Sequence, residues 1–261
     1  MKIKTAAVIL VILSGLMKGC SFQNSQKMKT YDVQKIEKPM VIDANWDKPQ
    51  WHNIQILEVK NRMGNKPRFT PLVKAKMRYD DQNLYVIFRV NDRYVRSVVK
   101  DINGPVYEEP AAEFFFSPDP EFPNKYFNLE INCIGTPLMH YNDFEKVSEG
   151  KTIKTSTPLD ESDIMQLDIA HTLSEPIEPL TQTIDKEITG PVTWTLEYRI
   201  PLKMLEKYSK IIHPAPGVEW KANFYNIAEQ GNNIHFLTWS PVNNPIPNFH
   251  LPPFFGTITF R

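Results

Sequence analysis

Residues 73–90 constrain the fold more than any other stretch. From Val73 to Tyr79 the chain alternates strictly, with Val73, Ala75, Met77 and Tyr79 on one side and Lys74, Lys76 and Arg78 on the other. Successive side chains of a strand point to opposite faces, so this is a half-buried strand. Asp80-Asp81-Gln82-Asn83 then supplies turn residues, and Leu84 to Val90 is apolar on both faces, as in a central strand. A hairpin with one arm buried on both faces needs further strands and a second layer to cover it.

The rest of the chain provides them. Tyr126 to Ile134, Leu138 to Tyr141, Ile169 to Leu173, Val218 to Ala228, His235 to Trp239 and Phe255 to Phe260 have strand composition, and Met40 to Asp43 suggests a short strand. Thr193 to Ile200 alternates, with Trp194, Leu196, Tyr198 and Ile200 inward against Thr193, Thr195, Glu197 and Arg199 outward. Pro201 can open a short helix through Tyr208, because a first-turn residue has no use for its missing donor. Asn142 to Asp168 is polar without a sustained period and reads as a long inserted loop. The five prolines between Ser240 and Pro253 demand an ordered or extended connection. About nine or ten strands, one short helix and no βαβ alternation define an all-β sandwich in one domain. The 22 prolines against 10 glycines agree with a strand-and-loop protein of rigid connections.

Tyr107 to Phe116, Tyr-Glu-Glu-Pro-Ala-Ala-Glu-Phe-Phe-Phe, carries the first chemical signal. As a strand it puts Ala112, Phe114 and Phe116 on one face and Ala111, Glu113 and Phe115 on the other, so Glu113 lies beside apolar surface. A carboxyl in that position either has a protein partner, takes a polar ligand or faces solvent at a half-exposed sheet. Cys133 alternates with Phe127, Leu129 and Ile131 and is expected in the core as a small hydrophobe.

The N-terminus is read as an export signal. Basic Met1-Lys2-Ile3-Lys4, an apolar run from Thr5 to Met17 and then Gly19-Cys20 are too short for a spanning helix and match a cleavable leader. Residues 1–19 are the expected signal peptide. Cys20 resembles the acylated first residue of a bacterial lipoprotein, with Lys18 departing from the usual small residue. Residues 20–35 are then a lipid-anchored flexible tether and 36–261 the folded domain. This implies a membrane-anchored location, on the periplasmic face or the cell surface.

The 30 basic and 30 acidic residues cancel and form no basic stripe, which argues against nucleic acid as a partner. No Gly-rich phosphate loop, Gly-x-Ser-x-Gly, His-Glu-x-x-His or Cys-x-x-Cys occurs, and the histidines are scattered singly. Glu108, Glu109, Glu113 and Glu130 include the residue types of glycoside hydrolysis, which needs two carboxyls about 5 to 9.5 Å apart. Any acid-rich domain offers such a pair, so this does not define an enzyme. Tyr107 ahead of its strand and Trp239 at the end of another suit display at a sandwich edge, where flat rings cover the C–H faces of pyranose sugars. Trp239 suits a core position equally well.

An ordered set of segments then resembles carbohydrate-binding module family 9. They are Val41-Ile42-Asp43 with Trp46-Asp47 and Trp51, Ala75 to Val86 with Val90-Asn91-Asp92, Tyr107 to Phe116, Tyr198-Arg199-Ile200-Pro201, Trp220 to Ala228, Leu237 to Ser240, and Phe255-Gly256-Thr257-Ile258. The resemblance implies an immunoglobulin-like β-sandwich that binds carbohydrate without changing it. Tyr107 and Trp239 would be the clamping aromatics, and Glu113 and Asn128 would take sugar hydroxyls. Two positions depart from the family pattern: Asn128 stands where a sugar-binding arginine is expected, and Tyr107 where a tryptophan is. The implied partners are a polysaccharide or oligosaccharide, the membrane through Cys20, and polysaccharide-degrading enzymes in carbohydrate catabolism. No cofactor is required; members carry structural calcium, for which Asp80, Asp81 and Asp92 are given no ligand assignment. Three rival readings are an interaction scaffold with no sugar site, a glycoside hydrolase-associated domain, and a related haem-binding sandwich in which Met63, Met77 or Met139 would be an axial ligand.

Overall fold

The computed structural model describes residues 27–148, 151–174 and 183–261. The expected leader and Cys20 lie outside the described residues. In chain order the first strands are β1 (Thr30–Lys35), β2 (Leu57–Val59), β3 (Asn61–Met63), β4 (Leu72–Tyr79), β5 (Asn83–Asp92) and β6 (Val95–Ser97). Then come β7 (Ala111–Ser117), β8 (Lys125–Asn132), β9 (Pro137–Ser148), β10 (Lys151–Pro158), the short helix α1 (Glu161–Ile164), β11 (Asp168–Ser174) and β12 (Ile184–Ile188). The chain closes with β13 (Val192–Pro201), the short helix α2 (Leu202–Leu205), β14 (Glu219–Ala228), β15 (His235–Thr238) and β16 (Gly256–Phe260).

These strands form a β-sandwich. The front layer runs β10-β9-β8-β7-β14-β16, with β15 and β3 attached beside β14, and the back layer runs β4-β5-β13-β11, with β2 on β4. β1 joins the layers: Thr30 to Val33 pair in parallel with Thr257 to Phe260 of β16, and Gln34 and Lys35 with Arg78 and Tyr79 of β4. The expected hairpin of β4 and β5 is present, and β5 is central, flanked by β4 and β13. The inward faces meet in one core. Phe114 of β7 stacks on Phe224 of β14 at 4.7 Å, and Phe224 meets Phe88 of β5 at 6.0 Å across the two layers. Cys133 is buried in the same core as a free thiol.

Several expectations are corrected. Residues 30–35 are strand and not tether, because Tyr31 and Val33 alternate inward and are buried. Met40 to Asp43 is not a strand; this segment wraps the outside of the back layer, where the N–H groups of Asp43 and Ala44 donate to the Glu197 carboxylate instead of to a ladder. That covering also buries Glu197, which alternation alone would leave facing solvent. Residues 142–168, expected as a loop, hold the β9–β10 hairpin and α1; the hairpin is antiparallel over residues such as Thr155 opposite Asp143 and Thr157 opposite Tyr141. The Pro201 helix is confined to Leu202–Leu205, with Pro201 as its cap, and α1 makes a second short helix.

Candidate functional site

The front layer is covered on both faces, and its outward face carries the site. Ala111, Glu113 and Phe115 of β7 lie on that face, beside Tyr126, Asn128 and Glu130 of β8 and His140 of β9. The registers set Glu113 opposite Glu130, Phe115 opposite Asn128, and Asn128 opposite His140. A second apolar cluster forms here from Ala111, Phe115, Tyr126, Tyr225, Ile227, Phe249 and Phe255. The proline-rich segment after β15 supplies the roof. Phe249 stacks on Tyr225 at 4.1 Å and 13°, and the Tyr225 hydroxyl donates to the Phe249 carbonyl at 3.2 Å. His250 shares a 2.8 Å hydrogen bond between Nδ1 and the Tyr126 hydroxyl.

Between sheet and roof lies a pocket of about 370 Å³, lined by Tyr107, Glu113, Phe115, Asn128, Glu130, His140, Lys154, Glu229, Phe236, Phe249 and His250 among others. That volume suits a small ligand with most of its surface enclosed. Glu113 and Glu130 are buried, and Oε2 of each has no hydrogen-bond partner. Asn128 Nδ2 donates to Glu130 Oε1 at 2.7 Å, and Asn142 Nδ2 donates to Asn128 Oδ1 at 2.5 Å, which orients Asn128 between them. Burial raises the Glu113 carboxyl well above the ordinary carboxylate range, and repulsion from Glu130 and then Glu229 adds to it. Burial likewise raises Glu130 to about 7, against the lowering effect of the Asn128 hydrogen bond. The two histidines stay neutral: burial and then Lys154 depress His140, and the same causes with His140 itself depress His250 to about 3.

Three of the four residues named from sequence, Tyr107, Glu113 and Asn128, therefore line one pocket. Trp239 does not. Its backbone N–H pairs with the Phe224 carbonyl at 2.8 Å, its ring meets Phe224 edge-on at 5.8 Å, and it is buried in the central core. The ring is turned to the inner side of the front layer, so the clamp assignment is corrected. Phe236 and Phe249 are the aromatics that sequence reading missed; Phe236 lies on β15, inside a segment expected as a strand, and Phe249 in an aperiodic proline-rich stretch. Lys154 was missed because it belongs to the stretch expected as a loop, and His140, inside the expected strand Leu138 to Tyr141, because a single histidine on a strand carries no signal of its own.

The remaining expectations do not assemble. Asp80 accepts from the backbone N–H groups of Gln82 at 2.8 Å and Asn83 at 2.7 Å and from the Tyr85 hydroxyl at 2.5 Å. Asp81 pairs with Lys35 at 2.6 Å, and Asp92 accepts from the Arg93 N–H at 2.7 Å. Among the described residues no group of three or more His, Cys, Asp or Glu side chains is placed to hold a metal ion. Met77 and Met139 are fully buried in the central core and Met63 packs in the second cluster; none lines the pocket.

A two-layer β-sandwich with buried carboxyl and amide groups under an aromatic roof has the enclosed, mixed polar and apolar lining that suits a small ligand. The sequence pattern of carbohydrate-binding family 9 matches residues 42–260, and the chain belongs to that family. A candidate carbohydrate-binding protein from Bacteroides uniformis shares the fold at a TM-score of 0.73 and 23% identity, covering 90% of this chain and 100% of that one. A family 9 module from Caldicellulosiruptor kristjanssonii in complex with glucose aligns at a TM-score of 0.56 and 17% identity, over 89% of this chain and 96% of that one. The same kind of module in complex with cellotriose aligns at 0.56 and 18%, over 89% and 94%. No curated protein matches the chain.

Proposed function

We propose that the chain binds a carbohydrate in the pocket between β7, β8 and the roof without transforming it, as an exported lipoprotein anchored through Cys20 that serves polysaccharide catabolism. The observation that carries the binding site is the pair of buried carboxyl oxygens on Glu113 and Glu130 that no protein group partners. Leaving a buried acceptor unpaired costs about 1 to 3 kcal/mol, and ligand donors remove that cost. Tyr107 and Phe236 are half-buried and offer ring surface to a sugar face, while Asn128 presents its amide beside Glu130. Family membership supports the non-catalytic part, and the related modules with glucose and cellotriose support sugar as the ligand.

Isothermal titration of the purified protein against an oligosaccharide panel tests the reading. Tyr107→Ala removes ring burial worth on the order of 1 to 3 kcal/mol, so affinity falls roughly tenfold or more. Glu113→Gln should weaken binding with the fold intact by circular dichroism. Unchanged affinity in both variants refutes the site, and release of reducing sugar by the wild type that Glu113→Gln abolishes refutes the non-catalytic reading.

A further inference from the structure

The pocket is more acidic than a site for a neutral sugar requires. Glu113, Glu130 and Glu229 line it, against the single ammonium of Lys154. Lys154 offsets part of this acidity, because its ammonium and the Glu130 carboxyl act on each other while its Nζ sits over the Phe144 ring at 5.8 Å from the centroid, and one ammonium still faces three carboxyls. His140 and His250 bring no charge, because burial keeps both imidazoles neutral. Tyr126 and Tyr225 flank the pair from β8 and β14, and burial holds both phenols in the neutral form. Tyr107, with Glu108 beside it, closes the outer edge near Glu229; Glu108 raises the Glu229 carboxyl further after burial has done so.

Within this setting Glu113 and Glu130 face each other across neighbouring strands, each with a buried oxygen that lacks a donor. Two carboxylates so placed repel each other and cannot both ionise without a cation. A sugar hydroxyl has one proton to donate, satisfies one oxygen and leaves the charge uncompensated. An ammonium group has three donors and a positive charge, so a single group can bridge both oxygens and cancel the repulsion. We propose that the pocket recognises an amino sugar, a hexosamine whose free ammonium group sits between Glu113 and Glu130. The inference rests on the carbohydrate-binding reading above and names the class of sugar.

Two consequences separate this from a neutral-sugar site. The ammonium needs the pair ionised, so affinity rises as pH rises through the titration of Glu130 near 7, up to the pH at which the amine itself loses its proton. Binding also expels protons that the free pair holds, which makes the observed enthalpy depend on the ionisation enthalpy of the buffer.

The experiment is calorimetric titration of the full chain with a glucosamine disaccharide, its N-acetylated form and cellobiose, at pH 5.5 and 7.5 in two buffers. The expected result is at least tenfold tighter binding of the free amine than of either neutral disaccharide, with proton release for the amine alone at pH 5.5, where the amine is fully charged and the free pair still holds its protons. Ethanolamine should bind far more weakly than the amino sugar; equal affinity would mean that charge alone is recognised and would overturn the sugar assignment. Glu130→Gln should lower amine affinity tenfold or more, a markedly larger factor than it costs either neutral sugar. Equal binding of all three disaccharides overturns the amino-sugar inference and leaves carbohydrate binding standing. No binding of any sugar overturns both. The comparison among ligands needs no variant, so a folding defect in Glu130→Gln does not shelter the inference.

Discussion

Replacing Glu130 by Gln should make the protein less sensitive to rising pH, in a direction set by the geometry of the pair. Burial raises the Glu130 carboxyl from 4.5 to about 7, so between these pH values the native state holds a proton that the unfolded chain has released. Unfolding stability then falls as pH rises, because the native state binds more protons. The contribution is fully present below about pH 4.5 and lost once pH passes about 7. At about 1.4 kcal/mol for each unit of displacement, Glu130 costs the wild type on the order of 3 kcal/mol across that window. For a domain of this size that corresponds to roughly 6 to 12 °C in Tm. In Glu130→Gln the new side chain keeps the oxygen that accepts from Asn128 and turns an amide donor towards Glu113, replacing repulsion with a hydrogen bond. Thermal melts of both proteins from pH 4.5 to 8 are the assay. The wild type should lose stability steeply over this range and the variant much less, with Glu113 supplying the residual slope. Parallel curves would refute the claim that the two carboxyls share a buried, unpartnered environment.

The other predictions concern Trp239 and Cys20. Because Trp239 packs on Phe224 in the core, Trp239→Ala should cost about 3 to 5 kcal/mol of stability by chemical denaturation; sugar affinity of the folded fraction should not change, and a selective loss of affinity would return it to the site. If Cys20 is acylated, cells fed a labelled fatty acid should incorporate it into the protein, and Cys20→Ser should abolish the label; equal labelling of both forms, or none of either, would rule out the anchor.

What could be read in the sequence follows from where apolar alternation survives. β4 and β13 bury an inner face, so their alternation is plain, β5 is apolar on both faces because both are covered, and Glu113 of β7 stands out as a carboxyl amid phenylalanines. The β9–β10 hairpin ends the front layer, and its outer arm, Lys151–Pro158, is polar in sequence apart from Ile153 and Pro158; a polar strand of that kind looks like a loop. Trp239 illustrates a different limit. An aromatic at a strand end serves a core or a clamp equally, and only the pairing of β15 with β14, with Tyr225 opposite Thr238, decides which way the next ring turns. The roof was hidden because a stretch with five prolines between residues 240 and 253 has no period, although its rigidity is what holds Phe249 against Tyr225.

The two layers each bury glutamate on their outward faces, and the contrast between them supports the proposed site. On the back layer Glu197 is fully buried yet completely engaged: Oε2 accepts from the N–H groups of Asp43 at 2.9 Å and Ala44 at 2.8 Å, Oε1 accepts from Trp51 Nε1 at 2.8 Å, and Lys48 supplies the counter-charge at 2.6 Å. A buried carboxylate with that many donors and a matched cation is part of how the covering segment is held down, and it has no capacity left for a ligand. On the front layer the covering segment brings apolar rings and a neutral histidine, and it brings no donor to Oε2 of Glu113 or Glu130. The same residue type, at a similar depth and on an equivalent face, is thus satisfied by the protein in one layer and left incomplete in the other. An incomplete pair is tolerated in a stable fold when something outside the chain completes it, and the pocket beside Glu113 and Glu130 is where the proposed sugar would do so.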